Sequence, residues 1–466
     1  MDSATMESTT TTTNTNADFS LLDAQVTAAL ERYHVPGVAV GVIHEGRDYT
    51  AGFGVTNVNH PLEVTPDTLF QVGSTTKTVT ATATMRLIER GLLDLDVPLR
   101  AYLPELRLAD EEVAARVTLR HLFTHAAGWE GDYFDDTGTG DDALAIIVSR
   151  MVDLKQLTPL GAVFSYNNAG FYLAGRVIER ITGQTYETAI QDLVLDPLGM
   201  ARSFFFAQDV ITDRVAVGHR IEEDRPVVQR EWALARAAHP AGGLISSVED
   251  QLRYAHFHLG DGTAADGTRV LSPASMALMQ SPLAPAGPSV DALGVSWMLR
   301  DVAGTRLVQH GGTTNGQLSA FVMAPARGFA ITVLTNADRG GQLHHDITTW
   351  ALRHYLGVVE PEPARLDVTA DSLAAFAGRY SARGSDLDLT LDDEGLILHM
   401  TPRGGFPRKD SPARPAPPPM RVAAIGEDRV VIVEGPFQGQ QAEFLRRPDG
   451  GIAWLRLGLR AYARQG

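Results

Sequence analysis

The chain has 466 residues and no cysteine, which excludes disulfide frameworks, cysteine nucleophiles and cysteine-ligated metal centres. Its 40 basic residues stand against 56 acidic ones, and this net charge of −16 argues against nucleic acid as a partner and, more weakly, against anionic membranes. Hydrophobic residues make up 44% and charged residues 21%, a globular composition with length enough for two or three domains.

The N-terminal segment, residues 1–18, is a Thr, Asn and Ser tract with few apolar side chains, which predicts a disordered tail. It lacks a basic start and an apolar core segment, so we expect no secretory signal. No run in the chain approaches the ~18 apolar residues that a membrane helix needs. We therefore expect a cytoplasmic protein without a membrane partner.

Hydrophobic periodicity predicts a helix and a hairpin at the start of the chain, then a long and mostly helical region, and then more strands. The Glu45-Gly46 pair forms the predicted hairpin turn. The predicted elements are a helix at Phe19–Tyr33, strands at Val38–Ile43 and up to Gly54, a helix at Thr75–Gly91, strands at Arg306–Gln309, Leu318–Met323 and Ala330–Thr335, and a helix at Asp346–Tyr355.

The composition changes at Gly357–Arg365, a Pro/Glu-rich segment without periodicity that we interpret as a linker. Short alternating strands follow, interrupted by a Pro/Gly-rich segment at Arg403–Met420 that predicts a long loop. About 90 residues of such strands are typical of a small β-barrel or sandwich. The predicted strands are Asp386–Leu391, Leu396–Met400, Val430–Val433, Ala442–Leu445 and Ile452–Leu457.

Ser74 and Lys77 lie one helical turn apart at the start of the helix predicted at Thr75–Gly91. A serine hydroxyl is a weak nucleophile until a base removes its proton, and a lysine can be that base where burial lowers its pKa. The helix N-terminus also directs N–H groups toward an oxygen that becomes anionic. Because S-x-x-K occurs by chance in many proteins, a solvated helix start is the alternative.

Tyr166 and Asn168 form a Y-x-N cluster. A phenol beside a cationic lysine can be held partly ionised and can shuttle protons. An asparagine amide can orient that lysine and bind a substrate carbonyl. The alternative is a turn with an aromatic anchor.

His310, Gly311, Gly312 and Thr313 come directly after the strand predicted at Arg306–Gln309. The two glycines allow the backbone to approach a ligand closely. The Thr313 N–H could then join a second N–H, that of the proposed nucleophile, in an oxyanion hole, with His310 lining the opposite wall. The alternative is a strand end with a surface histidine.

In this order, the three clusters resemble the S-x-x-K, Y-x-N and H-x-G signature of the serine β-lactamase and penicillin-binding protein superfamily. The resemblance covers about Phe19 to Leu356. The segment Leu373–Arg464 is similar to the lipocalin-like β-domain appended to several peptidases and esterases of this group, where it can border the active-site cleft; a structural or oligomerising module is the alternative. Supporting segments are Val117–Trp129, Asp196–Met200 and Ala241–Asp250.

The resemblance implies an α+β fold, in which an antiparallel sheet is flanked by helices and joined to a helical subdomain, followed by a small all-β lipocalin-like barrel. The predicted boundaries are a disordered tail at 1–18, a hydrolase domain at 19–356, a linker at 357–372 and the β-domain at 373–466.

The resemblance also implies roles for individual residues: Ser74 as the acylated nucleophile, Lys77 as its base partner and Tyr166 as general base or acid. We expect neither a metal nor a cofactor. Separately, the acidic segment Glu130–Asp142 is expected to rim the cleft, and His125 to make structural hydrogen bonds. The residues expected to bind substrate are Asn168, His310, Gly312 and Thr313.

His310 stands where authentic β-lactamases and most carboxypeptidases of the group carry the lysine of K-T-G. Near neutral pH a histidine anchors a substrate carboxylate less firmly than a lysine does, and H-x-G is more similar to the esterase, D-aminopeptidase and peptide-cyclase branches. We expect a serine hydrolase that forms an acyl-enzyme with a small ester or peptide substrate, as a monomer or a homo-oligomer. The alternatives are a D-stereospecific aminopeptidase or amidase, an acyltransferase or peptide cyclase, a β-lactamase, and a non-catalytic binding protein.

Overall fold

The computed structural model describes residues 11–13, 19–232 and 234–465 of the chain. Its first thirteen strands are β1 (Thr11–Thr13), β2 (Gly37–His44), β3 (Arg47–Gly54), β4 (Phe70–Gln71), β5 (His219–Glu222), β6 (Arg225–Val228), β7 (Ile245–Ser246), β8 (Ala284–Gly287), β9 (Val290–Leu293), β10 (Met298–Val302), β11 (Thr305–Thr313), β12 (Leu318–Ala324) and β13 (Phe329–Thr335). Nine of them form one antiparallel sheet in the order β1-β3-β2-β13-β12-β11-β10-β9-β8.

Twelve helices belong to this part of the described chain, and those predicted near both of its ends and at the S-x-x-K motif are confirmed. They are α1 (Ser20–Tyr33), α2 (Thr76–Glu89), α3 (Glu111–Arg116), α4 (Leu119–Phe123), α5 (Ala143–Ser149), α6 (Ala169–Thr182), α7 (Tyr186–Ile190), α8 (Ala207–Val210), α9 (His239–Gly242), α10 (Val248–Leu259), α11 (Pro273–Met279) and α12 (Gly340–Leu356).

Helices cover both faces of the sheet, which explains why β2 is apolar almost without interruption. On one face, Val40 of β2 belongs to the same buried cluster as Leu22 of α1 and Leu343 of α12. On the other face, its neighbour Ala39 belongs to a cluster with Leu252 of α10. Because successive side chains of a strand point to opposite faces, a strand covered on both sides needs apolar residues at every position.

Helix α2 lies in the interior, and its positions from Thr76 to Met85 are buried. It contains many threonines, and their hydroxyls donate to backbone carbonyls three or four residues earlier in the chain. Two of these hydroxyls also have partners in other segments, because Thr80 Oγ1 lies 2.8 Å from the Pro240 carbonyl oxygen and Thr82 Oγ1 lies 2.8 Å from Tyr254 Oη. The threonines are Thr78, Thr80, Thr82 and Thr84, with donor–acceptor distances from 2.8 to 3.3 Å.

The C-terminal part is a closed eight-stranded barrel in which each strand pairs antiparallel with the next and the last pairs with the first. Helix α13 (Ala370–Ala374) precedes it. The α+β fold followed by a small all-β barrel is therefore confirmed. The barrel strands are β14 (Gly378–Ser381), β15 (Ser385–Asp392), β16 (Gly395–Pro402), β17 (Met420–Ala424), β18 (Arg429–Ile432), β19 (Gln441–Arg446), β20 (Ile452–Leu457) and β21 (Arg460–Arg464).

The structure differs from the sequence prediction at the third motif. His310 and Thr313 lie inside β11, not after its end, because β11 continues to pair with β12 as far as the Thr313–Leu318 pair. The paired strands hold the backbone of this motif extended. Three barrel strands, β14, β17 and β21, were also not predicted.

The N-terminal segment differs in part from the predicted disordered tail. Thr11–Thr13 form β1, which pairs with Thr50–Gly52 at the edge of the sheet, as the high β-propensity of threonine allows. The other residues of 1–18 lie outside the described part of the chain. The domain boundaries remain predictions; residues 357–369 contain neither helix nor strand.

Candidate active site

Ser74 and Lys77 meet where a 3₁₀ turn, Gly73–Thr75, leads into α2. Lys77 Nζ lies 3.0 Å from Ser74 Oγ. Two further oxygens accept from the same nitrogen, Asn168 Oδ1 at 2.7 Å and the Ala241 carbonyl at 2.6 Å. The lysine side chain is therefore held in one position, with its nitrogen against the serine hydroxyl.

Burial strongly affects the charge of this lysine. Lys77 has no exposed surface, and loss of solvation holds its pKa well below the usual value of 10.5. The positive charge of Arg460 lowers this pKa further, whereas the negative charge of Asp132 raises it. The neutral amine, which can accept a proton, is thus favoured far more than in an exposed lysine.

Tyr166 is buried beside the same pair. Its ring centroid lies 4.9 Å from Lys77 Nζ, and the Ser74 side chain is near enough to its hydroxyl to act on its pKa. Burial raises the pKa of Tyr166 far above the usual 10, and the Ser74 side chain and the charge of Arg460 only partly oppose this rise. The phenol therefore keeps its proton, and the partial ionisation expected from the sequence is not supported.

Asn168 immediately precedes α6, and both ends of its amide are in use. Its Oδ1 accepts from Lys77, and its Nδ2 donates to Asp132 Oδ1 at 3.0 Å. Asp132 in turn accepts from Nε and Nη2 of Arg460, a residue of barrel strand β21. A chain of polar contacts thus leads from the barrel to the lysine.

His310 faces the cavity from β11 and is 3% exposed. Burial, together with the nearby charge of Lys77, lowers its pKa to about 3, so the ring is neutral near pH 7. Its Nδ1 lies 2.7 Å from the Gly311 carbonyl oxygen, which can only accept, so Nδ1 carries the proton. Nε2 is left as an acceptor, without a partner among the described residues.

Gly312 and Thr313 bring β11 against the turn that holds Ser74. A Cβ atom added to Gly312 would lie 1.9 Å from the Val72 carbonyl oxygen and 2.6 Å from Ser74 N. A Cβ on Gly73 would likewise lie 2.6 Å from Thr313 N. Only glycine allows this approach, which packs the backbone at Thr313 against the backbone at Ser74.

His125 packs against the segment that carries Tyr166. The side chain is fully buried, its Nδ1 accepts from the Asn167 backbone N–H at 3.0 Å, and its ring stacks on Tyr166 at 4.4 Å between centroids. Such contacts are the structural role predicted for this histidine.

A cavity of about 820 Å³ lies over these residues, and the barrel supplies part of its wall. Six of the seven predicted site residues line it, whereas Lys77 lies beneath its floor. The apolar part of the wall includes Phe134, Leu234 and Met298, and the barrel contributes Arg383, Phe406, Leu459 and Arg460.

Sequence reasoning missed Asp132 and Arg460. Asp132 lies within the acidic segment Glu130–Asp142 predicted to rim the cleft, although no pattern singled out this carboxylate. Arg460 follows the predicted strand Ile452–Leu457, in a segment without a motif. No local signal could have indicated it, because its partner Asp132 is 328 residues away.

A family model described as beta-lactamase matches residues 22–355, well over half of the chain. The chain belongs to the beta-lactamase family. This family is of the serine hydrolase type, and the resemblance drawn from the three motifs is confirmed. Penicillin-binding protein 4 of Amycolatopsis lactamdurans is 36% identical over 369 residues, which cover 76% of this chain and 94% of that protein.

Solved structures of the family share the whole architecture. The crystal structure of SurE has a TM-score of 0.76 at 25% identity and covers 96% of this chain and 98% of its own, so the likeness includes the barrel. SurE has also been solved with D-Leu. The octameric penicillin-binding protein homologue from Pyrococcus abyssi has a TM-score of 0.63 at 24% identity, covering 96% of this chain and 99% of that one, which speaks for the fold alone.

The described residues offer neither a metal-binding cluster nor a membrane-spanning helix. Within residues 11–13, 19–232 and 234–465, no three His, Asp or Glu side chains are grouped so that they could hold a metal ion. No helix of the same residues is long and apolar enough to cross a membrane.

Proposed function

We propose that this family member is a serine hydrolase or acyltransferase that forms an acyl-enzyme at Ser74 with a small ester or peptide substrate. The observation that carries the proposal is the 3.0 Å contact between Lys77 Nζ and Ser74 Oγ, made by a lysine without exposed surface. A neutral amine at this distance can take the serine proton and so turn the hydroxyl into a nucleophile.

Acylation begins when Ser74 Oγ bonds to the substrate carbonyl carbon while its proton passes to Lys77. The carbonyl oxygen takes up the negative charge and faces the N–H groups of Ser74 and Thr313. The bond to the leaving oxygen or nitrogen then breaks, and that atom receives a proton from Tyr166, whose proton Lys77 replaces. Water or another nucleophile attacks the acyl-enzyme by the same steps in reverse.

His310 favours particular substrates. A lysine of K-T-G would offer a positive charge to a substrate carboxylate, whereas the neutral ring of His310 offers none. This supports a substrate that needs no cationic anchor at that place. It disfavours a substrate anchored there by its carboxylate, as expected from the departure from K-T-G.

The cavity supports a substrate larger than an acetyl ester. Its volume of about 820 Å³ is within the range of pockets that enclose drug-sized molecules. Because apolar side chains line much of it, an extended acyl chain or a short apolar peptide would find contacts there.

A second candidate within the same chemistry is cleavage or transfer of D-configured peptides. The observation that favours it is the likeness to SurE, a protein solved with D-Leu. A panel of p-nitrophenyl esters compared with D-Ala-p-nitroanilide, each with and without an added amine acceptor, distinguishes esterase, amidase and acyltransferase activity.

Replacement of the nucleophile tests the proposal. In Ser74→Ala, kcat for p-nitrophenyl butyrate should fall by ~1,000-fold or more, because no hydroxyl remains to be acylated. Mass spectrometry should find a fluorophosphonate adduct on Ser74 of the wild type and none in the variant. The matched control is Ser149→Ala, which removes an exposed serine hydroxyl at the end of α5 and should leave the rate unchanged.

The non-catalytic alternative predicts a different result. A wild-type protein that neither turns over any ester or peptide of the panel nor reacts with the probe would be a binding protein of this fold. The cytoplasmic location and the homo-oligomer considered from the sequence remain predictions.

A further inference from the structure

One of the contacts between the barrel and the candidate active site is the ion pair of Arg460 and Asp132. Arg460 is the first residue of β21, and it grips Asp132 with both Nε and Nη2, the latter at 2.8 Å from Oδ1. Such a two-point contact between a guanidinium and a carboxylate fixes direction as well as distance. Both side chains are partly buried and line the cavity.

Asp132 determines which way the Asn168 amide points. An ionised carboxylate only accepts hydrogen bonds, so the Asn168 group beside it must be the NH₂, which donates at 3.0 Å. The carbonyl end of the same amide is then turned toward Lys77 Nζ, 2.7 Å away. If the amide were reversed, its NH₂ would face the lysine and its oxygen would face the carboxylate.

We propose that Arg460 and Asp132 are positioning residues: through this ion pair, the docked barrel orients the Asn168 amide toward Lys77 and balances the charge beside the lysine. This inference rests on the proposed function, since it concerns the lysine assigned there as the base.

The groups that face Lys77 come from several elements. Ser74 precedes it in the chain, Tyr166 and Asn168 come from the segment before α6, His125 from the turn after α4, and His310 from β11. The pKa values of both histidines are lowered by burial and by Lys77 itself, so the rings are neutral. The charged groups acting on the pKa of Lys77 are Arg460, which lowers it, and Asp132, which raises it.

These charges determine the direction in which each substitution should move the pH at which kcat/KM rises. Lys77 must be neutral to accept the Ser74 proton, so kcat/KM rises with pH through the pKa of Lys77. In Arg460→Gln, Asp132 loses its counter-ion and stabilises the ammonium, so this rise should move to higher pH by about one unit. In Asp132→Asn the unpaired Arg460 should move it to lower pH. In the double variant the two charges are both absent, and the rise should return close to its wild-type position.

The experiment is the pH profile of kcat/KM for p-nitrophenyl butyrate, measured for the full-length wild type and these three variants. Arg383→Gln is the matched control, since Arg383 also joins the barrel to the catalytic part, through Glu130 at 2.9 Å. Neither of these charges acts on Lys77, so the pH at which the rate rises should not move.

Arg460→Lys separates orientation from charge. It keeps the positive charge but not the two-point contact, so kcat should fall several-fold while the pH of the rise stays in place. Thermal unfolding is measured for every variant. If Arg460→Gln or Asp132→Asn does not fold, the proposal is tested with the double variant and with Arg460→Lys. Neither of these two variants leaves a buried charge without a partner.

Three results would overturn the inference: single variants that shift in the same direction, single variants that do not shift, or a double variant that shifts as far as Arg460→Gln. A merely structural pair would lower activity in every variant without opposite shifts. These outcomes are distinct from failure of the proposed function, in which the wild type itself would show neither turnover nor a probe adduct on Ser74.

Discussion

Lys77 is chemically unusual because its nitrogen has three oxygen neighbours and no contact with solvent. An ammonium group needs water or a carboxylate to offset its charge, and none of these three oxygens belongs to a carboxylate. The cost of burying a charge therefore becomes a lower pKa. The sequence indicated the partner serine, whereas the burial that makes the lysine a base is visible only in the folded protein.

The role of Tyr166 as a proton donor can be tested by substitution. Because burial raises its pKa, the phenol is a proton donor for the leaving group, not a standing base. Tyr166→Phe removes only the hydroxyl and should lower the acylation rate by ~100-fold or more, measured by stopped-flow release of p-nitrophenol.

The matched control is Tyr172→Phe. Tyr172 is also fully buried, and its hydroxyl donates to the Tyr133 carbonyl away from Ser74. A Tyr166→Phe variant that acylates at nearly the wild-type rate would contradict the role of Tyr166 and leave Lys77 as the group that moves protons.

Strand β11 packs directly against the turn Gly73–Thr75 before α2. Their contact is possible because Gly312 presents no side chain to the Val72 carbonyl and the Ser74 N–H. Sequence reasoning found both segments from their motifs. It could not find that β11 continues through the third motif, because two glycines weaken the alternation that indicates a strand.

Gly312→Ala tests this contact. The added methyl group would lie 1.9 Å from the Val72 carbonyl oxygen, so β11 and the turn must separate. Because a displacement of about 1 Å can cost ~100-fold in rate, we expect kcat for p-nitrophenyl butyrate to fall by that order.

Gly311→Ala is the milder neighbour, since its Cβ would meet only the Ser319 carbonyl oxygen, at 3.0 Å. Its loss of activity should be clearly smaller. Equal losses in the two variants would mean that the approach at Gly312 has no special importance for the reaction.

For the whole molecule, the barrel forms part of the cavity and is held against the catalytic part by backbone contacts as well as by ion pairs. The Leu459 carbonyl accepts from Tyr166 N at 2.7 Å, Ala461 N donates to Ser165 Oγ at 3.1 Å, and Trp454 Nε1 donates to the Leu157 carbonyl at 3.0 Å. The turn between β20 and β21 thus supports the segment that carries Tyr166. Of the two roles considered for the barrel from the sequence, these contacts favour bordering the cleft.

An aromatic contact across the cavity indicates that the barrel takes part in substrate selection. Phe134 and Phe406, from the rim segment and the barrel, meet edge to face with centroids 5.0 Å apart, and both line the cavity. Phe406→Ala should lower kcat/KM for a long-chain p-nitrophenyl ester several-fold, mainly through KM, because such ring contacts contribute ~1 kcal/mol. The rate with p-nitrophenyl acetate should change little.

Phe437→Ala is the matched control, since Phe437 packs against the barrel core and does not line this cavity. In this variant, the ratio of kcat/KM for the long-chain ester to kcat/KM for p-nitrophenyl acetate should equal that of the wild type. An unchanged chain-length preference in Phe406→Ala would exclude the barrel loop from substrate selection.

The sequence by itself determined the elements whose pattern is local. The apolar face of α1, the strand run of β2 and the alternation of β15 depend on neighbours a few residues away, and so does the spacing of Ser74 and Lys77 within one helical turn. These features were sufficient to identify the family and the serine chemistry it implies.

Only the tertiary structure decided the environment of that chemistry. Arg460 and Asp132 are 328 residues apart, and no periodicity relates them. The charge of Lys77, the protonated nitrogen of His310 and the direction of the Asn168 amide depend on burial and on contacts between distant segments. Such contacts arise only when the chain packs, so the motifs indicate which groups react and the packing determines their protonation and orientation.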